Sequence, residues 1–294
     1  MDGSSCKTRI RQPYPFPKIV RILLPGEKGR EKIKMIKVYP KKKLGQHFLK
    51  DKAIARRISS SLTGDGYSSV VEIGPGMGIL TDFIIQREFK DFRVIEIDNE
   101  SVVYLRNNFP ELKEIIQGDF LTYDIEKNFE GKLAIIGNFP YNISSQILFK
   151  VLNHRDKVVE VCCMLQKEVA ERICSKPGSK VYGILSVLIQ AFFTAEYLFS
   201  VSKEVFSPPP RILSGFIRLR RNETVSLGCD ERLFFRIVKA GFNKRRKTLR
   251  NSIKSVFDLK SFDYRDFHLR PEQLSADQFV ELTNWVEKNM VKSE

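Results

Sequence analysis

Three features of this 294-residue chain put chemically capable side chains at spacings a ligand can use. The first is Gly74-Pro75-Gly76-Met77-Gly78, which closes the apolar run SVVEIG. Glycines at such a turn let the backbone bend tightly and approach a ligand with no Cβ in the way. The dinucleotide fingerprint G-x-G-x-x-G needs a third glycine at position 79, where Ile79 stands. The G-x-G-x-G form instead suits a nucleoside-type cofactor such as S-adenosyl-L-methionine. Alone, the string marks only a tight turn. The second feature is a pair of acids. Glu96 lies 22 residues beyond Gly74, where a carboxylate can accept from both hydroxyls of a ribose. Asp119, in Gly118-Asp119-Phe120, is placed to accept from an adenine amino group, with Phe120 available to pack on the ring. Each acid, and Asp98 beside Glu96, can equally cap a helix. A glycine turn followed by acids after two successive strands tips the balance toward a cofactor.

The third feature is Asn138-Phe139-Pro140-Tyr141. In isolation it is an ordinary turn. At the end of a strand beside a methyl-donating cofactor it has a chemical reading. The exocyclic amine of adenine is a poor nucleophile because its lone pair is delocalised into the ring. An Asn side-chain oxygen and a backbone carbonyl from the Phe139-Pro140 segment can accept its two N–H bonds. That holds the nitrogen toward tetrahedral geometry and aims its lone pair at the methyl group. Tyr141 supplies a face on which the base stacks once it leaves its helix or loop. Catalysis then rests on positioning and electrostatics rather than a covalent intermediate.

These residues need elements to hold them, and the pattern supplies strands alternating with helices. Short apolar strands are expected at residues 69–74, 92–97, 114–117, 133–137 and 158–165. Helices are expected at residues 79–89, from about 99, at 144–152 and at 167–174. This is an α/β pattern, a doubly wound parallel sheet with ligands beyond the carboxyl ends of its strands. Near-continuous apolar strands fit burial on both faces. After Arg221 the strand signal fades, and residues 231–242, 244–257 and 276–290 read as helices. The expected organisation is a basic, Pro-rich, disordered extension (residues 1–34), a methyltransferase domain (35–221) and a small all-helical RNA-binding domain (222–294). Met35 begins MIKVYPKKKLGQHFL, which reads as a start in its own right.

The formal charge is +15, from 50 Lys and Arg against 35 Asp and Glu. It is unevenly spread: +6 in residues 1–34, +2 in 35–210, +9 in 211–250 and −2 in 251–294. A clustered positive charge of this size asks for an anionic partner such as nucleic acid. No run approaches the ~20 apolar residues of a membrane span, and Arg21 breaks the early apolar run 19–24 that a secretory signal would need. The five cysteines lack ligand spacing, so neither a metal site nor a disulfide framework is expected. These features suit a cytoplasmic protein, and nothing requires more than a monomer.

The chain resembles the bacterial 16S ribosomal RNA adenine dimethyltransferases, the KsgA group of class I methyltransferases. The resemblance runs from about Lys41 to Asn284. It rests on LGQHFL from Leu44, GPGMG with Leu80-Thr81, VIEID around Glu96, Gly118-Asp119, and GNFPYNIS from Gly137. VYGILSVL from Val181, VFSPPPRI from Val205, GFNKRRKTLRNS from Gly241 and RPEQLS from Arg270 complete it. It implies a Rossmann-like fold and transfer of two methyl groups to N6 of each of two adjacent adenosines near the 3′ end of small-subunit RNA. It implies His47, Leu49, Gly74, Gly76, Glu96, Asp119 and Asn138 as cofactor residues. His47 departs from the family, which often has Asn there. Asn138, Pro140 and Tyr141 would form the catalytic loop, and Phe206 a second aromatic wall for the target base. Lys244, Arg245, Arg246, Lys247 and Arg250, inside the +9 block, would contact RNA phosphates, with Arg246 and Lys247 sharing a helix face with Arg250. Two other functions compete: a resistance-type methylase of 23S RNA and a non-catalytic ribosome-assembly factor. The GFNKRRKTLRNS and RPEQLS segments favour the small-subunit enzyme.

Overall fold

The computed structural model describes residues 18–24, 32–244 and 246–291, with side chains from residue 38 onward. Strands β1 (Lys18–Leu24) and β2 (Lys32–Val38) pair antiparallel, Lys18 opposite Val38. The expectation of an unstructured extension therefore fails for these segments. Isoleucine, valine and leucine recur through both, and β-branched runs suit a ladder even beside a Pro-rich stretch. Residues 1–17 and 25–31, with all four prolines of the 1–34 extension, lie outside the described residues.

A two-residue strand β3 (Phe48–Leu49) and helix α1 (Lys52–Ser59) lead into the main sheet. Its parallel half is built from β4 (Ser69–Ile73), β5 (Asp91–Glu96), β6 (Glu114–Gln117), β7 (Leu133–Asn138) and β8 (Val158–Gln166). Between these strands run α2 (Thr81–Ile85), α3 (Asn99–Asn108), α4 (Ile125–Asn128) and α5 (Ser144–Asn153). Then follow α6 (Lys167–Cys174), α7 (Ile184–Gln190), β9 (Phe193–Val201), β10 (Phe206–Ser207) and β11 (Ser214–Arg221). The strand order is β6-β5-β4-β7-β8-β11-β9. The order reverses at β4, whose neighbours β5 and β7 lead away to opposite edges, so a crevice opens there at the carboxyl ends.

The sheet is not wholly parallel. β11 runs antiparallel to both β8 and β9. The chain between β9 and β11 holds no crossover helix, and without one adjacent strands must run in opposite directions. Both faces are covered. Val71, Ile73, Ile135, Cys163 and Leu165 enter one core; their neighbours Val70, Ala134, Ile136, Cys162 and Met164 enter the other. This is the alternation that a strand's two-residue period imposes.

The remaining chain is helical: α8 (Glu231–Asn243), α9 (Leu249–Lys254) and α10 (Ala276–Asn289). Asp230 caps α8 through the Leu233 amide (2.8 Å), and Ser275 with Gln278 forms a capping box on α10. Phe234, Ile237, Leu249, Phe279 and Leu282 join the same core as one face of the sheet, so the packing does not stop at Arg221. Among the described residues no helix is long and apolar enough to cross a membrane.

The helix expected over residues 244–257 begins only at Leu249. Lys244 closes a turn, its carbonyl accepting from the Lys247 amide (2.7 Å), and Thr248 is extended. The first amides of α9 are already satisfied: Leu249 donates to Leu269 O (2.8 Å) and Arg250 to Phe267 O (3.1 Å). A helix running on through Lys244 would forfeit those bonds and stack like charges turn upon turn. Arg246 and Lys247 therefore share no helix face with Arg250.

Candidate active site

Four strand ends converge on one cleft of about 950 Å3, counting its open mouth. The turn after β4 brings Gly74 and Gly76, the end of β5 brings Glu96, the loop after β6 brings Gly118 to Leu121, and β7 delivers Asn138 and Tyr141. The 43–48 loop forms the remaining wall. Lys41 ties that loop down through ion pairs to Asp98 and to Glu100 (3.3 Å), while its amide donates to Gln46 Oε1 (2.9 Å).

Glu96 is 3% exposed and uses both carboxylate oxygens. Oε2 accepts from the Gly76 amide (2.9 Å) and Oε1 from the Asp98 amide (2.8 Å). Burial pushes its carboxyl up to about 7; the two amides pull it back part of the way by favouring the charged form. Asp98 takes the plainer role, capping α3 through Ser101 N (3.3 Å) and Ser101 Oγ (2.9 Å). Asp119 spends Oδ1 on the Leu121 amide (2.9 Å), which leaves Oδ2 for a ligand.

Gly74 adopts φ +64°, and a Cβ there would meet no protein atom within 4 Å. It would stand in the open space of the cleft instead, so the residue is a floor kept bare. Gly76, at φ +56°, is bare for another reason: its Cβ would lie 2.8 Å from the Phe48 ring.

Asn138 is held by its amide nitrogen, Nδ2 donating to His47 O at 2.9 Å. Because a carbonyl only accepts, that contact sets the orientation of the amide and turns Oδ1 away as a free acceptor. The Pro140 carbonyl accepts from Ile143 N (3.1 Å), and proline brings no amide hydrogen of its own to compete for the acceptors. The Tyr141 ring stacks on His47, centroids 5.8 Å apart and planes 28° off parallel.

Thus His47, Gly74, Gly76, Glu96, Asp119, Asn138, Pro140 and Tyr141 share the cleft. Two expected residues do not. Leu49 is 8% exposed and lines a smaller adjoining cavity with Gly74, Met77 and Asn138. Phe206 is 1% exposed, sits opposite Leu49 in the β3–β10 pair and belongs to the core. Its ring packs in the core, outside the cleft that Tyr141 lines. Arg245 lies outside the described residues, while Lys244, Arg246, Lys247 and Arg250 are exposed.

Two residues escaped the reading of the sequence. Ile97, with 49% of its surface open, lines the cleft beside Glu96; an exposed isoleucine immediately after a buried acid was the available signal. Glu72 on β4 is 2% exposed, accepts from Thr81 Oγ1 (2.7 Å) and borders the smaller cavity. Burial pushes it up to about 8. A lone acid inside the run SVVEIG was its signal, since a charge in a doubly buried strand needs a reason.

A family model described as ribosomal RNA adenine dimethylase matches residues 39–288. The chain is 55% identical over 263 residues to ribosomal RNA small subunit methyltransferase A of Flavobacterium johnsoniae, covering 88% of this chain and 100% of that one. It is 52% identical over 256 residues to the protein of the same name from Porphyromonas gingivalis, covering 85% and 98%. Among solved structures it resembles a dimethyladenosine transferase from Plasmodium falciparum (TM-score 0.71, 22% identity, 82% of this chain and 98% of that one). It also resembles the 23S rRNA methyltransferase ErmE (TM-score 0.63, 23% identity, 81% and 99%). At these identities the structural likeness is one of fold.

Proposed function

The chain belongs to the ribosomal RNA adenine dimethylase family, and from that premise we propose how its cleft does the work. The reaction is dimethylation of adenine N6 in 16S ribosomal RNA of the small subunit, with S-adenosyl-L-methionine as donor. The targets are two adjacent adenosines near the 3′ end. When bound, the cofactor supplies a methyl group activated on a sulfonium.

The residues present suit that cofactor. The Glu96 carboxylate accepts from the ribose hydroxyls through the lone pairs that the Gly76 and Asp98 amides leave free. Asp119 Oδ2 accepts from the adenine amine, and Ile97 and Phe120 supply apolar cover. The bare backbone of Gly74 leaves room for close approach. Glu72 borders the smaller cavity and is engaged by the Thr81 hydroxyl.

The methyl acceptor is handled by the β7 loop. Asn138 Oδ1 and the Phe139 carbonyl take the two N6 hydrogens of the target adenine, and Tyr141 stacks on its ring. Lowering the barrier this way asks for placement and fixed dipoles, not for a strong base. Lys244, Arg246, Lys247 and Arg250 provide exposed cations for RNA phosphates, which supply affinity without reading sequence.

The observation that carries this reading is the anchoring of Asn138 by His47 O, which leaves an oriented acceptor beside the cofactor groups. The test is transfer of labelled methyl from S-adenosyl-L-methionine to unmethylated small ribosomal subunits. The native protein labels adenine N6, while Asn138→Ala abolishes transfer and leaves RNA binding intact. Transfer retained by Asn138→Ala would sink the mechanism.

A further inference from the structure

Tyr141 is held from far outside its own motif. Its hydroxyl shares a hydrogen bond with Ser214 Oγ, at the first residue of β11 and 73 residues further along the chain. Ser214 is fully buried, and among the described residues the Tyr141 hydroxyl is the partner its Oγ finds. The tyrosine ring stands between two spaces. It lines the inner cleft, and also an outer groove bordered by Lys42, Gln166, Pro209 and Arg211. His47 braces the ring by stacking on it, and His47 Nδ1 donates to Pro208 O at 2.8 Å. The Pro208 carbonyl can only accept, so Nδ1 carries the proton. Hydroxyl and ring are therefore both tied, directly or through His47, to one stretch of chain, from Pro208 after β10 to Ser214 at the start of β11.

Swinging the Tyr141 ring would unpair two hydroxyls at once, one of them in a space closed to water. Leaving buried hydroxyls unmatched is costly, so the bond sets the ring's orientation as well as its stability. We propose that Ser214 is a positioning residue for methyl transfer: it holds Tyr141 at the angle at which a stacked adenine presents N6 to Asn138 Oδ1. This rests on the reading of Tyr141 as the stacking face. Ser214 is not among the residues that line the cleft with Gly74, Glu96 and Asp119, so its influence falls on turnover and not on cofactor affinity. The Tyr141 hydroxyl, in the same account, anchors the ring and does no chemistry.

The test is a double-mutant cycle on turnover with unmethylated small ribosomal subunits, using native protein, Ser214→Ala, Tyr141→Phe and the pair together. Thermal melts choose a temperature at which all four are folded. Each single change should lower kcat about 3- to 10-fold, the worth of one neutral hydrogen bond. The double variant should lose no more than the worse single. Affinity for S-adenosylhomocysteine, measured by calorimetry, should stay within about twofold of native in every case. A Ser214→Ala enzyme with native kcat overturns the proposal. So do losses that multiply in the double variant, because the two hydroxyls then act independently. A fall in cofactor affinity matching the fall in kcat also overturns it, as general distortion of the cleft. A native protein that transfers no methyl group to small subunits overturns the functional reading and the Ser214 role with it.

Discussion

Cofactor binding should weaken about tenfold between pH 8 and pH 6, through the single carboxylate of Glu96. Burial raises this group from 4.5 to about 7, and the Gly76 and Asp98 amides recover only part of that shift. Ribose hydroxyls donate best to the charged carboxylate, so affinity should follow its ionised fraction. With a midpoint near 7, about nine-tenths is ionised at pH 8 and about one-tenth at pH 6. Below the midpoint, binding must first expel the proton: at pH 6.5 about 0.8 proton should be released per cofactor bound. Titration calorimetry with S-adenosylhomocysteine, run in two buffers of different ionisation enthalpy, reads affinity and proton release together. Glu96→Gln should bind more weakly and lose this pH dependence. The stability of the ligand-free protein should respond in the opposite sense. Because the folded midpoint lies above the unfolded one, the stabilisation from this group is complete below about 4.5 and is lost as pH rises through about 7. Equal affinities at pH 6 and pH 8, with no buffer-dependent heat, would refute the reasoning.

Replacing Lys244, Arg246 and Lys247 together by alanine should weaken binding to small subunits and lower the slope of log affinity against log salt by about 2, at roughly 0.7–0.9 per phosphate contact. An unchanged slope across a salt series would remove these cations from the RNA surface. Phe206→Leu should cost up to about 1.5 kcal/mol in thermal or denaturant unfolding, as a conservative change in a packed core, and leave kcat near native. Native stability with a large loss of transfer would put the ring back against the base.

What was legible in the sequence was what local pattern controls. The β4–β8 strands showed as apolar runs because both faces of the sheet are covered, and the chemical residues sit at their ends because a parallel sheet gathers its carboxyl ends on one edge. Gly74, Glu96, Asp119 and Asn138 are separated by 64 residues in sequence and share one cleft for that reason. What was not legible depended on partners distant in the chain. Phe206 belongs to a convincing motif, yet the packing of its ring in the core, beside its strand partner Leu49, has no local signal. The basic run at Lys244 has nothing local against a helix; the Leu269 and Phe267 carbonyls that start α9 elsewhere come from a later segment. β11 turns against its neighbours because of how the chain returns, and β9, reading FTAEYLFSV, carries the polar positions of an edge strand. Ser214 was silent for the same reason, since its partner lies on another motif.

The choice of asparagine at position 138 follows from two demands made on one side chain. An aspartate of the same shape would turn an oxygen toward His47 O, where Asn138 Nδ2 now donates at 2.9 Å. Two acceptors at that separation repel, so a carboxylate would lose its anchor along with its orientation. The second demand comes from transferring twice to one nitrogen. After the first methyl group the amine keeps a single hydrogen, and one of the two acceptors facing it must go without. For a carboxylate that means a partly buried charge deprived of a donor, which costs far more than a neutral oxygen left facing a methyl group. Asn138 is half-buried, so the difference is felt. A neutral amide, pinned at its nitrogen and free at its oxygen, lets the same pocket accept the adenine before and after its first methylation.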